Sequence, residues 1–306
     1  MSWQPADDGL CEGSEACPSV EEVIRPKEHD IGAFSVRRLL PSDRRKLVGP
    51  FIFFDHFGPV TLGPDENIDV RPHPHIGLAT LSWLWEGTIL HRDSLGYEQE
   101  IQPGEVNWMT AGRGIVHSER TPDRLRGAEK RISGLQIWMA LPQEYEEAEP
   151  SFQHYGADEL PVIQRDRVTI TIIAGCAFGE TAPVSIYSET LYADIRMDAG
   201  GVVTLPADHA ERAVYLLEGE VTIEGVEFAP GEMLVLRPGL EACVTAPGGA
   251  HFVWLGGAPI AGDRIRFWNF VSSSRDRINR AKEDWREGRF PRVPGDEDEF
   301  IPLPEK

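Results

Sequence analysis

Apolar positions in this chain fall into short runs separated by Gly, Pro and acidic turns, and most runs alternate or are continuously apolar, as strands are. Ile31 to Leu40 (IGAFSVRRLL) reads as one strand. Val48 to Pro59 (VGPFIFFDHFGP) reads as a buried strand followed by a Gly-Pro turn. A long strand runs to Trp85 and stops at Glu86-Gly87, and Thr88 to Arg92 continues after a tight turn. Pro103-Gly104-Glu105 opens a further strand, VNWMTA, which ends at Gly112. The period changes only near the C-terminus. From Arg275 to Glu287, Ile278, Ala281 and Trp285 share one helical face, Ser273-x-x-Asp276 resembles a capping box, and Gly288 fits a C-cap. Met1 to about Pro26 is acidic and irregular, an expected arm or loose edge. The acidic tail RFPRVPGDEDEFIPLP is expected to be extended, solvated or surface-hugging.

The punctuation occurs twice. VYLLEGEVTIEG (Val214 to Gly225) parallels SWLWEGTILH (Ser82 to His91), and Pro230-Gly231-Glu232 parallels Pro103-Gly104-Glu105. Gly112 follows Gly104 by eight positions, and Gly239 follows Gly231 by eight. A fixed pattern repeated at this scale predicts a duplicated β-domain, with the two copies joined near Pro142 to Pro150.

One stretch of the first copy carries chemistry. His73 and His75 sit two apart at the start of a strand, so they share a face. His117 and Glu119 have the same spacing after the turn Gly112-Arg113-Gly114. If the strands are neighbours, three imidazoles and one carboxylate converge. That set suits iron, manganese, nickel, copper or zinc and is too nitrogen-rich for calcium. Counting from the matching glycines places Leu205, Ala207, Val244 and Ala246 at the four positions in the second copy, none of them a ligand. A small gap would bring in His209 and Glu211, with nothing to complete their set. His56, His91, His154, His209 and His251 read as single structural histidines. Trp83, Trp85, Trp108 and Trp138 read as barrel-core residues rather than stacking platforms.

Composition narrows the classes. The 306 residues suffice for two domains, carry 50 acidic against 30 basic side chains, and have a formal charge of −20. Direct nucleic-acid binding, which needs clustered cations, is disfavoured. No apolar stretch could span a bilayer and the N-terminus lacks a signal-peptide pattern, so a cytoplasmic location with no membrane partner is expected. Four cysteines form no disulfide framework in a chain of this length. Cys11 and Cys17 lack the second pair of a zinc site, and Cys176 and Cys243, in apolar runs, are expected in the core.

HPHIGLATLSWLWEG, PGEVNWMTAGRGIVHSE, GPFIFFDHFGP and WNFVSSSRDRINRAKEDWREGRFPRVPGD together resemble the pirin family of the cupin superfamily, from about Val23 to the end of the chain. The resemblance implies an all-β fold of two cupin-type β-barrel (jelly-roll) domains in tandem with a short C-terminal helix. Residues 1–145 would form the metal-binding half, and 146–306 a half without ligands. By motif, the family's ligands fall on His73, His75, His117 and Glu119. They would hold one divalent metal, Fe(II) first, with Ni, Mn, Co, Cu or Zn as alternatives. A further carboxylate found on the first strand in several relatives is Ala79 or Thr80 here, so Gly77 and Ala79 are expected to leave a small apolar wall beside the metal. Quercetin 2,3-dioxygenase activity, with Glu119 as base and a planar phenolic compound and O2 as substrates, is the implied chemistry. The implied alternatives are a regulatory protein with a protein partner and a redox-sensing metal, or an enzyme for another phenolic or enolic compound.

Overall fold

The two copies of the strand pattern fold as two double-sheet β-barrels in a computed structural model that describes residues 17–30 and 34–305; Cys11 lies outside the described residues. In the first barrel a seven-stranded antiparallel sheet runs in the order Ser151–Tyr155, Val106–Thr110, Leu78–Glu86, Lys130–Ala140, Phe51–Leu62, Ser35–Leu40, Lys27–Asp30. A four-stranded sheet of Asp69–His75, Ile115–Arg120, Ile89–Asp93 and Glu98–Ile101 covers it. Val36, Phe57, Leu84 and Ile132 of the large sheet meet Ile89 and Ile101 of the small one in a buried cluster. The second barrel repeats this with an eight-stranded sheet and a four-stranded sheet of Gly201–Leu205, Ala242–Ala246, Val221–Ile223 and Val226–Phe228. Its core is a continuous apolar cluster that includes Val203, Leu205, Val221, Ile223, Val244 and Phe252.

The large sheets pack back to back. Alternation along Leu78–Glu86 explains why that strand is buried on both faces: Ala79, Leu81 and Trp83 point into a cluster shared with Tyr192, Tyr215 and Val253 of the other barrel, while Leu84 points into its own. Polar groups in this seam are paired. His56 Nδ1 meets the Tyr215 hydroxyl at 2.7 Å, and Asp194 accepts hydrogen bonds from Trp85 Nε1 and His251 Nε2 at 2.9 and 2.7 Å. The repeated Pro-Gly-Glu has one physical role in both barrels. Gly104 and Gly231 adopt positive φ, and the following Glu accepts a backbone N–H three residues back, from Gln102 to Glu105 and from Ala229 to Glu232.

Several expectations are corrected. The N-terminal segment is not all a loose arm, because Val20–Ile24 pairs with Met233–Leu236 at the edge of the second barrel's large sheet and buries Val20 and Ile24. Conversely, Ser151–Tyr155 completes the first barrel's sheet against Val106–Thr110. Cys176 and Cys243 are exposed, since alternation places their neighbours Ala177, Ala242 and Val244 inward instead, while Cys17 is the buried cysteine. The helix Arg275–Arg286 is capped one residue later than expected, by Ser274, whose hydroxyl accepts the Arg277 N–H. It packs through Ile278 and Ala281 onto Ile76 and Phe270, with Trp285 at the margin. The acidic tail is not simply solvated: Asp296 and Glu299 grip Arg120, each at 2.8 Å. Among the described residues no helix is long and apolar enough to cross a membrane.

Candidate metal centre

Asp69–His75 and Ile115–Arg120 are antiparallel neighbours in the small sheet, and His73 stands directly opposite His117. Period-two alternation puts His75 on the same inner face. The three imidazoles therefore converge, with ligand nitrogens within 4.8 Å of one another, the one such cluster among the described residues. All three rings are buried. Burial lowers each imidazole pKa, that of His73 to about 4 and those of His75 and His117 well below the ordinary value, and neighbouring histidines push the last two further down. They are neutral near pH 7, as metal ligation requires.

The outward-facing nitrogens fix the tautomers. His73 Nδ1–H donates to the Arg71 carbonyl at 2.9 Å, and His75 Nδ1–H to the Asn269 carbonyl at 3.1 Å. His117 Nδ1 lies 3.4 Å from His91 Nδ1, and His91 Nε2–H donates to Asp93 Oδ2 at 3.0 Å. This chain leaves His91 Nδ1 as an acceptor for the proton on His117 Nδ1. The consequence is that the Nε2 lone pairs of His75 and His117 face each other at 3.1 Å with no proton between them. Two buried lone pairs in that position repel unless a cation lies beside them. Two nitrogens each about 2.1 Å from one ion and at right angles would stand about 3.0 Å apart. The donor set thus fits a transition-metal ion.

His91 and Asp93 escaped the sequence reading, in which His91 was a lone structural histidine. The available signal was the same H-x-D spacing on a strand that neighbours His117, since Asp93 pairs with His117 and His91 with Glu119. Both are buried, and Asp93 also accepts the Leu95 and Tyr97 backbone N–H groups. The second barrel lacks the whole set. Val203 stands opposite Val244 as His73 stands opposite His117, and Ile223 opposite Val244 as Asp93 stands opposite His117. In that register Val203 and Leu205, rather than Leu205 and Ala207, replace the His pair. His209 is held by Glu189 and the Cys176 carbonyl, and Glu211 accepts the Gly49 N–H, so neither takes part in a ligand cluster.

Glu119 occupies a different place from the histidines. The register slips between His117 and Glu119, so that Glu119 stands opposite Val70. The extra residue lies on the opposing strand around Pro72, which has no N–H to donate to the ladder. Glu119 lines the same cavity but is outside the histidine cluster, and its withdrawal from water pushes the carboxyl up to about 7. Gly77 and Ala79 are not beside the cluster, contrary to expectation. Gly77 adopts φ +68° and breaks the alternation, so Ala79 turns into the seam between barrels. No side chain would fit at Gly77, where a Cβ would lie 2.0 Å from the Val271 carbonyl oxygen.

The cavity measures about 490 Å³. Trp138 packs edge-on to His75 with centroids 5.1 Å apart and stacks on Phe53 at 4.1 Å, so one wall is flat and aromatic. Unlike Trp83 and Trp108, which pack in the seam, Trp138 faces this chamber.

Residues 33–139 match the Pirin family model, and residues 192–291 match the Pirin C-terminal cupin domain. A pirin-like protein of Caulobacter vibrioides is 46% identical over 289 residues, covering 94% of this chain and 100% of that one. Human pirin is 31% identical over 284 residues, covering 90% and 93%. The crystal structure of a quercetin 2,3-dioxygenase from Acinetobacter baumannii superposes with a TM-score of 0.85 at 33% identity, covering 93% and 96%. With two cupin barrels, a histidine triad that among the described residues occurs in the first alone, and relatives matched along nearly their whole length, the chain belongs to the pirin family.

Proposed function

We propose that this protein is a metal-dependent dioxygenase of the quercetin 2,3-dioxygenase type, opening a flavonol with O2. One observation carries the reading: a single partly apolar cavity brings together three converging imidazoles and the Glu119 carboxyl. In this reading His73, His75 and His117 hold one divalent ion, Fe(II) by family resemblance, and Glu119 serves as base and as a further ligand. Nickel, manganese, cobalt, copper or zinc would be accepted by the same nitrogens. When bound, the ion supplies a positive centre that favours the ionised form of an enolic hydroxyl and a site where O2 chemistry proceeds.

The chain's own part is binding and proton transfer. Phe53 and Trp138 offer the flat wall for an aromatic ring. A Glu119 carboxylate oxygen takes the proton of the flavonol 3-hydroxyl. The ring then opens with loss of carbon monoxide. The regulatory alternative is less well supported, because the imidazoles face a substrate-sized cavity. We place the junction between the metal-binding half and the ligand-free half near residue 145, with Ser151–Tyr155 reaching back to complete the first half's large sheet. A cytoplasmic location fits the free thiols of Cys17, Cys176 and Cys243.

The test is metal analysis of purified protein followed by oxygen uptake with quercetin. One metal per chain, with uptake that is lost in His75→Ala, is the expected result. Metal-loaded protein that consumes no oxygen with any flavonol would overturn the enzymatic reading and leave the regulatory one.

A further inference from the structure

The cavity has a second polar end, which the chemistry above does not use. It can be traced outward from the histidines. Trp138 packs on His75, Phe53 stacks on Trp138, and the Arg38 guanidinium lies 4.4 Å above the Phe53 ring. Arg38 is neutralised by a two-pronged bond to Asp55, at 2.8 and 2.7 Å. Beyond it, Arg266 lines the same cavity with its side chain reached by solvent. Among the described residues Arg266 makes no ion pair or hydrogen bond, although this chain carries 50 acidic side chains against 30 basic ones. Partial desolvation and the neighbouring Arg38 both disfavour its charge, and Asp55 offsets them only in part. An anion arriving there would relieve that imbalance.

Arg266 is also held in place. It belongs to the hairpin Ile265–Phe267 and Phe270–Ser272, which docks beside Asp69–His75. Buried Glu146 clamps both ends of the hairpin, pairing with Arg264 at 3.0 Å and accepting from the Ser272 hydroxyl and the Ser273 N–H. The Val271 N–H donates to the Ile76 carbonyl at 3.1 Å, and the Asn269 carbonyl accepts from His75. At the tip, Trp268 adopts φ +54°, a left-handed conformation that a bulky side chain takes only when the surroundings enforce it. Trp268 also lines the cavity. Packing on Phe270 and Trp285, with centroids 5.6 and 6.3 Å away, holds the Trp268 ring in this strained position at the cavity wall.

We propose that this hairpin is the specificity element of the site, with Arg266 selecting planar aromatic substrates that carry a negative charge on the ring remote from the hydroxyl facing the histidines. The inference rests on the phenol-binding reading of the cavity but not on oxygen chemistry. Trp268 covers the ring, and Arg266 takes the anion through charge-assisted hydrogen bonds. In a partly desolvated site such bonds favour the charged ligand by roughly tenfold or more.

The experiment is equilibrium binding of 2-naphthol and 6-hydroxy-2-naphthoate to metal-loaded protein under argon, measured by calorimetry. Wild type is expected to prefer the carboxylate by about tenfold, with the preference shrinking as salt rises. Arg266→Gln should abolish the preference by weakening the carboxylate alone, leaving 2-naphthol within about twofold, and Arg266→Lys should restore part of it. Trp268→Gly should weaken both probes equally and leave their ratio unchanged, and should lower the melting temperature because packing on Phe270 and Trp285 is lost. A wild type without charge preference, or an Arg266→Gln variant that retains it, overturns the inference. Charge preference without quercetin-dependent oxygen uptake would refute the flavonol reaction and leave the selectivity standing. Uptake without charge preference would do the reverse.

Discussion

The most informative single change is Asp93→Asn, because it alters one proton and almost no volume. In the native chain Asp93 Oδ2 accepts from His91 Nε2–H, which leaves His91 Nδ1 free to accept from His117 Nδ1–H. Asp93 Oδ1 meanwhile accepts the Leu95 and Tyr97 N–H groups. In the variant the amide oxygen keeps those two backbone donors, so the amide NH2 turns toward His91. A donor there forces the proton of His91 onto Nδ1, where it confronts the proton on His117 Nδ1. His117 must then move or shift its proton to Nε2, the nitrogen that faces the cluster. Disrupting the outer partner of a metal-ligating histidine costs about 10- to 100-fold in metal affinity. That corresponds to about 1.4–2.7 kcal/mol. The assay is competitive titration of metal-free protein with a chromophoric chelator, with melting curves of the metal-free forms alongside. His91→Phe should weaken metal binding comparably while keeping the stack on Phe152, whose ring lies 4.4 Å away and nearly parallel. Folded Asp93→Asn protein with an affinity within about twofold of wild type would refute the tautomer argument.

Other expectations follow from the same geometry. His75→Ala should lose most bound metal, measured by elemental analysis, because two imidazoles remain where three converge. Glu119→Gln should keep part of its metal and lose most turnover with quercetin, since the three imidazoles remain and an amide ligates only weakly and is a poor base; full activity would remove Glu119 from the chemistry. Metal-free protein should melt at lower temperature at pH 5 than at pH 7. The buried histidines have folded pKa values depressed below 6.5, so their contribution is present above about 6.5 and is lost as the pH falls toward 4, when the unfolded chain takes up protons first. Glu119, raised from 4.5 to about 7, works in the opposite direction, but it is one carboxyl against three imidazoles. An unchanged midpoint would mean the rings protonate freely in the fold. Duplex DNA at physiological salt should not bind, given a charge of −20; tight binding by filter retention would reveal a basic face.

Much of this architecture could be read along the chain because its determinants are local. Gly104 and Gly231 need positive φ, and the glutamates after them tie their turns, so the duplication shows in the letters themselves. The His pair could be read because alternation is strict within one strand. Sequence reading failed where a single residue changed the parity. Gly77, with its left-handed φ, rotated Ala79 away from the predicted wall, and the bulge at Pro72 set Glu119 apart from His117. Tertiary partners were also hidden. Nothing near Arg120 signals that Asp296 will hold it, and nothing near His75 signals that the Asn269 carbonyl will fix its tautomer.

The second barrel shows the same double sheet without the histidine cluster. With Val203, Leu205, Val221, Ile223 and Val244 facing inward, its small sheet closes on an unbroken apolar core. The first barrel gives up that stabilisation at His73, His75, His91, Asp93 and His117, all buried and all needing partners. It survives because rigid neighbours surround the site. Ser151–Tyr155 ties its large sheet past the junction, the seam with the second barrel buries Trp83 and Phe54, and the hairpin clamped by Glu146 docks on Ile76 beside the His-bearing strand. On this argument the ligand-free barrel is a scaffold that lets its twin keep a polar interior. Apolar-to-polar changes in the second barrel should therefore cost more stability than ligand removal in the first. Val244→His, which buries an unpartnered imidazole, should lower the melting temperature of metal-free protein, whereas His117→Val should raise it or leave it unchanged. The reverse order would show that the histidine cluster itself contributes to holding the first barrel together.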